Sequence, residues 1–66
     1  MKANPLGSEV LIEFAHVGNS VKVTAIDPVS LTEASIVGPV SAGEETLRRN
    51  AVRKLIYVLN KQKTAG

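Results

Sequence analysis

The stretch GPVSAGEE, residues 38–45, joins a run of β-branched residues to a long run of helix formers. Its two glycines have the spacing of the phosphate-cradling loop G-x-x-x-x-G-K-[ST], so the fold turns on how it is read. A phosphate loop would open a helix behind a parallel sheet. A plain junction would end a small antiparallel one. The phosphate reading needs a lysine reaching the β- and γ-phosphates, but Glu44 holds that position and Glu45 the serine/threonine position. Two carboxylates there repel a phosphate, and Pro39 removes one N–H from the loop. Parallel strands also need long crossover connections, for which 66 residues leave too little chain.

What the stretch supplies is a helix start. Ser41 followed by Glu44 is S-x-x-E, a capping box, with Ser41 as N-cap and Glu44 reaching back to it. Glu44 and Glu45 also complement the positive end of a helix dipole. The helix is expected over residues 42–62, which contain no proline. Leu47, Ala51, Leu55, Val58 and Leu59 form its apolar stripe, widened by Val52 and Ile56. At 1.5 Å per residue it spans roughly 31 Å, enough to lie across a whole face of eight-residue strands. The tail KTAG, residues 63–66, is expected to fray.

Upstream, EVLIEFAHV (9–17) and VKVTAI (21–26) alternate apolar and polar residues and are rich in β-branched types. Gly18 and Asn19 between them suit a two-residue hairpin turn with positive φ at both positions. That turn sets Phe14 opposite Val23, Ile12 opposite Ala25, His16 opposite Val21, Glu13 opposite Thr24 and Ala15 opposite Lys22. In DPVSLT, Asp27 and Pro28 suit the first two positions of a second turn, with the loop over residues 27–32. EASIVG (33–38) then returns beside the second strand, with Ala34 opposite Ala25 and Ile36 opposite Val23. One sheet face comes out apolar. The other carries Leu11, Glu13, Ala15, Lys22, Thr24, Ile26, Glu33, Ser35 and Val37. The expected fold is α+β: a three-stranded antiparallel β-meander, packed on one face by a long C-terminal α-helix. It forms one domain over residues 1–66, ordered from about 8 to 62.

The stretch HVGNSVKVTAIDPVSLTEASIVGPVSAGEE, and within it VGN, VKVTAIDP, TEASIVGP and SAGE, with RKLIYVL in the helix, resembles a family of short uncharacterised alphaproteobacterial proteins, a domain of unknown function. The resemblance runs from Ser8 to Lys61. It implies one compact domain and carries no activity or site residues. Such relatives are expected to place a glycine in the second turn, where this chain has Leu31.

Composition narrows the function classes. Hydrophobic residues are 44% and charged residues 21%, which is ordinary for a globular chain and too apolar for disorder. Without cysteine there is no disulfide or cysteine–zinc staple, and His16 is the only histidine, so no metal or cofactor is expected. No apolar run approaches the roughly 20 residues of a membrane span, and MKANPLGSE has no apolar core of a signal peptide. The expected setting is the cytoplasm. A net charge of +2 permits an acidic partner without requiring one.

Candidate chemistry is sparse. His16, with Asp27 or Glu13 to orient it, is the nearest approach to an acid–base group, but its place at the hairpin end makes it a structural residue first. The serines at 8, 20, 30, 35 and 41 fall mostly in turns or at the cap. No catalytic residue is assigned, and an enzyme ranks third. Arg49, Arg53, Tyr57 and Lys61 recur every fourth residue, with Lys54, Asn50 and Asn60 nearby; the row could hold phosphates, with Tyr57 stacking. Read more plainly, it is a solvated face supported by Glu45–Arg49 and Glu44–Arg48 spacing. Val52, Ile56, Leu11, Ile26 and Val37 are surplus apolar surface beside open strand edges, pointing to a homodimer. The expected function is a small non-catalytic interaction module, self-associating and regulatory, with an unidentified protein partner. Nucleic-acid binding through the basic row is the alternative.

Overall fold

The computed structural model describes residues 9–65, with side chains through Gln62. The expected start of order at Ser8 and the reading of the first eight residues lie outside the described residues. Three antiparallel strands, β1 (Leu11–Val17), β2 (Ser20–Asp27) and β3 (Thr32–Pro39), form one sheet in the order β1-β2-β3. A short 3-10 turn, Val40–Ala42, leads into one helix, α1 (Glu44–Ala65). This is the expected α+β meander with a C-terminal helix.

The pairing follows the side-chain pattern throughout. Phe14 faces Val23, Ile12 faces Ala25 and His16 faces Val21, while Ala34 faces Ala25 and Ile36 faces Val23. Turn chemistry sets this register, because a one-residue slip would turn every apolar side chain to the wrong face. At the first turn only Gly18 takes positive φ (61°), and Asn19 does not. The expected pair of positive angles is thereby corrected: Gly at the first turn position alone supplies the twist that the strands need.

The second loop is tighter than expected. Asp27 and Thr32 pair across the strands, leaving residues 28–31 as the connection. Asp27 is buried; its Oδ1 accepts from Val29 N–H (3.3 Å) and its Oδ2 from the Ser30 hydroxyl (2.8 Å). These bonds satisfy a carboxylate that burial would otherwise penalise. The Leu31 N–H closes the loop on the Asp27 carbonyl at 2.8 Å, and Leu31 stands at φ 63°. It is the position at which a glycine was expected of relatives.

Val21, Val23, Ala25, Ala34, Leu47, Ala51 and Leu55 are the buried core. Alanines at 25, 34 and 51 let the helix settle closely on the sheet. Val58 and Leu59, also placed in the stripe, are half-buried. On the opposite face the buried Thr24 shares a 2.8 Å hydroxyl–hydroxyl bond with Ser35, so the centre of that face is polar and satisfied.

Two expectations about the helix are corrected. It begins at Glu44 rather than 42 and continues to Ala65 rather than 62. It also does not cover the whole sheet. α1 packs against β3 and β2, and no residue of β1 is buried. Only residues 40–43 connect β3 to α1, and so short a link keeps the helix over the strand it has just left.

Candidate functional site

The 38–45 junction is a structural device. Val40 N–H donates to the Asn19 carbonyl at 2.9 Å, tying the turn to the first hairpin. Gly43, at φ 88°, donates to the Val40 carbonyl, and its own carbonyl accepts from Leu47 N–H at 3.1 Å. That first intrahelical bond puts Gly43 at the N-cap. Ser41 sits two residues earlier, inside the 3-10 turn, and the expected Ser41–Glu44 capping box is therefore displaced. Gly43 enters the helix from a positive φ that a residue with a side chain adopts only with strain. Gly38 matters for space instead. A Cβ there would lie 2.5 Å from Leu47 Cδ2, so its missing side chain makes room for a core leucine.

Glu44 and Glu45 occupy the first helical turn, as expected, and Glu45 organises the charges around it. Arg48 hydrogen-bonds to it and Arg49 lies 3.6 Å from its other oxygen. The Arg48 hydrogen bond and charge, with a lesser contribution from Arg49, hold the Glu45 carboxyl below its ordinary 4.5.

The basic row is exposed along its length at Arg49, Arg53, Tyr57 and Lys61. Its members are partly engaged with one another and with neighbours. Arg49 is paired with Glu45, and Lys61 Nζ lies 5.9 Å from the centre of the Tyr57 ring, within range of a weak cation–π contact. Lys54 does not join the row. Its Nζ donates to the Ser35 carbonyl at 2.9 Å, crossing to the outer edge of β3.

The opposite flank of α1 carries the apolar surplus. Lys54 and Ile56 lie about 200° apart around a helix, so with Lys54 over the β3 edge, Val52 and Ile56 look toward the β1 side. Both are half-buried against the core. They line an open groove of about 270 Å³ with Glu45, Arg48, Arg49 and Arg53. On β1 itself Ile12 and Phe14, expected to be core residues, are only half-buried. The remaining surplus positions are scattered. Leu11 is 49% exposed and Val37 68%, while Ile26, beside Leu11, is half-buried.

Val52 and Ile56 thus share a side of the molecule with β1, and Val37 lies apart on β3. Sequence reasoning placed Ile12 and Phe14 on the face under the helix, where they do pack against the core, but from its margin and only half-buried. The signal was available: a helix about 10 Å across, tethered by a short link to β3, does not fully cover β1, two strands over. His16 is exposed at the hairpin end, facing Val21. Among the described residues no cluster of three His, Cys, Asp or Glu is spaced to hold a metal ion, and no helix is long and apolar enough to cross a membrane.

No curated protein and no solved structure matches the chain. The family profile described as "Domain of unknown function (DUF6898)" matches residues 7–62, which takes in all three strands and nearly all of the helix. With its meander, junction and helix inside that match, the chain belongs to the DUF6898 family.

Proposed function

We propose that the chain is a small self-associating interaction module of a bacterial cytoplasm, with β1 and the Val52–Ile56 flank of α1 as its contact side. The observation that carries this reading is the incomplete cover of β1: none of its residues is buried, and Ile12 and Phe14 remain half-open beside the helix flank. A chain of this size builds a small core and has little stability to spare. A contact that covers β1 extends that core, and a two-fold pairing does so with one surface used twice. Half-buried aliphatics and an aromatic, rimmed by Arg48, Arg49 and Arg53, suit protein recognition.

Multi-angle light scattering over a concentration series tests the reading. A dimer mass that appears as concentration rises, with thermal stability rising alongside, is expected. A monomer mass at high micromolar concentration with full thermal stability refutes it.

A further inference from the structure

We infer, on the premise that the chain self-associates, that two copies join through their β1 strands, antiparallel across a two-fold axis beside Phe14. The product is one six-stranded sheet with both helices on the same face.

The two sheet edges are not equivalent. β3 is crossed by Lys54, whose ammonium occupies the Ser35 carbonyl. β1 has no buried residue, and among the described residues no strand pairs its outer edge along Leu11–Val17. Unpaired strand edges recruit other strands unless charges, prolines or covering groups prevent it. The hairpin geometry defines what that edge presents. Val17 and Ser20 close a two-residue turn, so they exchange both hydrogen bonds, and bonding alternates back along β1. Ile12, Phe14 and His16 therefore turn their N–H and C=O groups outward. Centring the pairing on Phe14 joins these groups in three bonded pairs, Phe14 with Phe14 and Ile12 with His16 twice.

The side chains select the same register. Phe14 is the midpoint of the strand, so this centre alone overlaps all seven residues. It sets Leu11 against the partner's Val17, matching two aliphatics that are 49% and 74% exposed. Centring on Glu13 would oppose two carboxylates, which destabilises a cross-strand pair. In the Phe14 register Glu13 faces the partner's Ala15. Beyond that alanine lies Lys22, its neighbour across β1 and β2. Two strand spacings, about 9.6 Å, separate Lys22 from the partner's Glu13, and the small Ala15 leaves the way clear for the long side chains to meet above it. Symmetry makes this charge match twice. On the helix face, the two Phe14 rings floor a trough walled by Val52 and Ile56 of both chains. With each helix above the β2–β3 boundary, the axes stand about 19 Å apart, which leaves the two helices clear of one another across the trough.

The chain has no cysteine, so cross-linking reads the register directly. Position 13 faces the partner's position 15 with Cα atoms about 4.5–5.5 Å apart, inside disulfide range, whereas position 13 stands about 8 Å from its own copy. Mixing Glu13→Cys with Ala15→Cys under mild oxidation is expected to give a disulfide-linked heterodimer, and neither variant alone a linked homodimer at comparable rate. Ala15→Glu, which gains Lys22 as a neighbour in its own chain, should stay folded yet face Glu13 twice. Its dimer should be about two- to thirtyfold weaker. A wild type that dimerises while the mixture fails to cross-link, or an Ala15→Glu dimer as tight as wild type, overturns the β1 pairing and leaves self-association standing. A monomeric wild type removes self-association itself.

Discussion

Replacing Leu31 by glycine is expected to leave the domain more stable than replacing it by alanine, the reverse of the usual order. Leu31 stands at φ 63°, and it is the one non-glycine with positive φ among the described residues. An L-residue in the left-handed region costs about 1–2 kcal/mol, which alanine retains and glycine removes. Against this, glycine loses about 0.5–1 kcal/mol more backbone entropy on folding. The glycine variant should therefore exceed the alanine variant by up to about 1.5 kcal/mol, centred near about 0.75 kcal/mol. Both lose the same side-chain burial, and with Leu31 78% exposed that loss is only about a fifth of the 1.5–3 kcal/mol of a fully buried leucine. Urea unfolding at one fixed protein concentration reads the difference. With a slope near 1 kcal/mol/M, the lower end for small proteins, the glycine midpoint should lie above the alanine midpoint by up to about 1.5 M, centred near about 0.75 M. An alanine variant equal to or more stable than the glycine variant would refute the strain argument for this loop.

The junction makes two further predictions. Gly38→Ala should destabilise by about 1 kcal/mol or somewhat more, since its Cβ meets a leucine tip that is itself in the core; an unchanged denaturation midpoint would show that Leu47 rotates away freely. Ser41→Ala should change stability by no more than about 0.5 kcal/mol, whereas Gly43→Ala should cost about 1 kcal/mol or more; the opposite ranking would restore Ser41 as the cap. The Glu45 carboxyl should titrate below 4.5 by carbon-detected NMR and move up toward that value in Arg48→Ala. Because its folded value is depressed, the support this pair gives the helix is present above pH 4.5 and disappears as pH falls through the lowered midpoint. An unmoved midpoint in the variant would mean that Arg48 is not the cause.

Much of this architecture was legible from local chemistry. Period-2 alternation and the Gly18–Asn19 turn gave the β1–β2 register residue by residue, because turn length leaves a single solution and side-chain parity agrees with it. The reading of residues 38–45 as a junction between an antiparallel sheet and a helix matches a helix that begins at Glu44. The stripe of Leu47, Ala51 and Leu55 named the centre of the core. The start of the helix was misplaced, because S-x-x-E and a glycine at positive φ compete over neighbouring residues.

Tertiary structure decided the rest. Periodicity showed that the helix buries one stripe but not which strands lie beneath it. The four residues from 40 to 43 tether α1 over β3 and β2, and Lys54 fastens the same side by bonding the Ser35 carbonyl. β1 is left half-covered as a consequence, which puts Phe14 and Ile12 at the margin of the core rather than inside it. The sequence determines which face of each element is apolar, since that depends only on spacing along the chain. Which apolar faces find a partner depends on how far a connection lets one element travel across another, and only the assembled fold settles that distance.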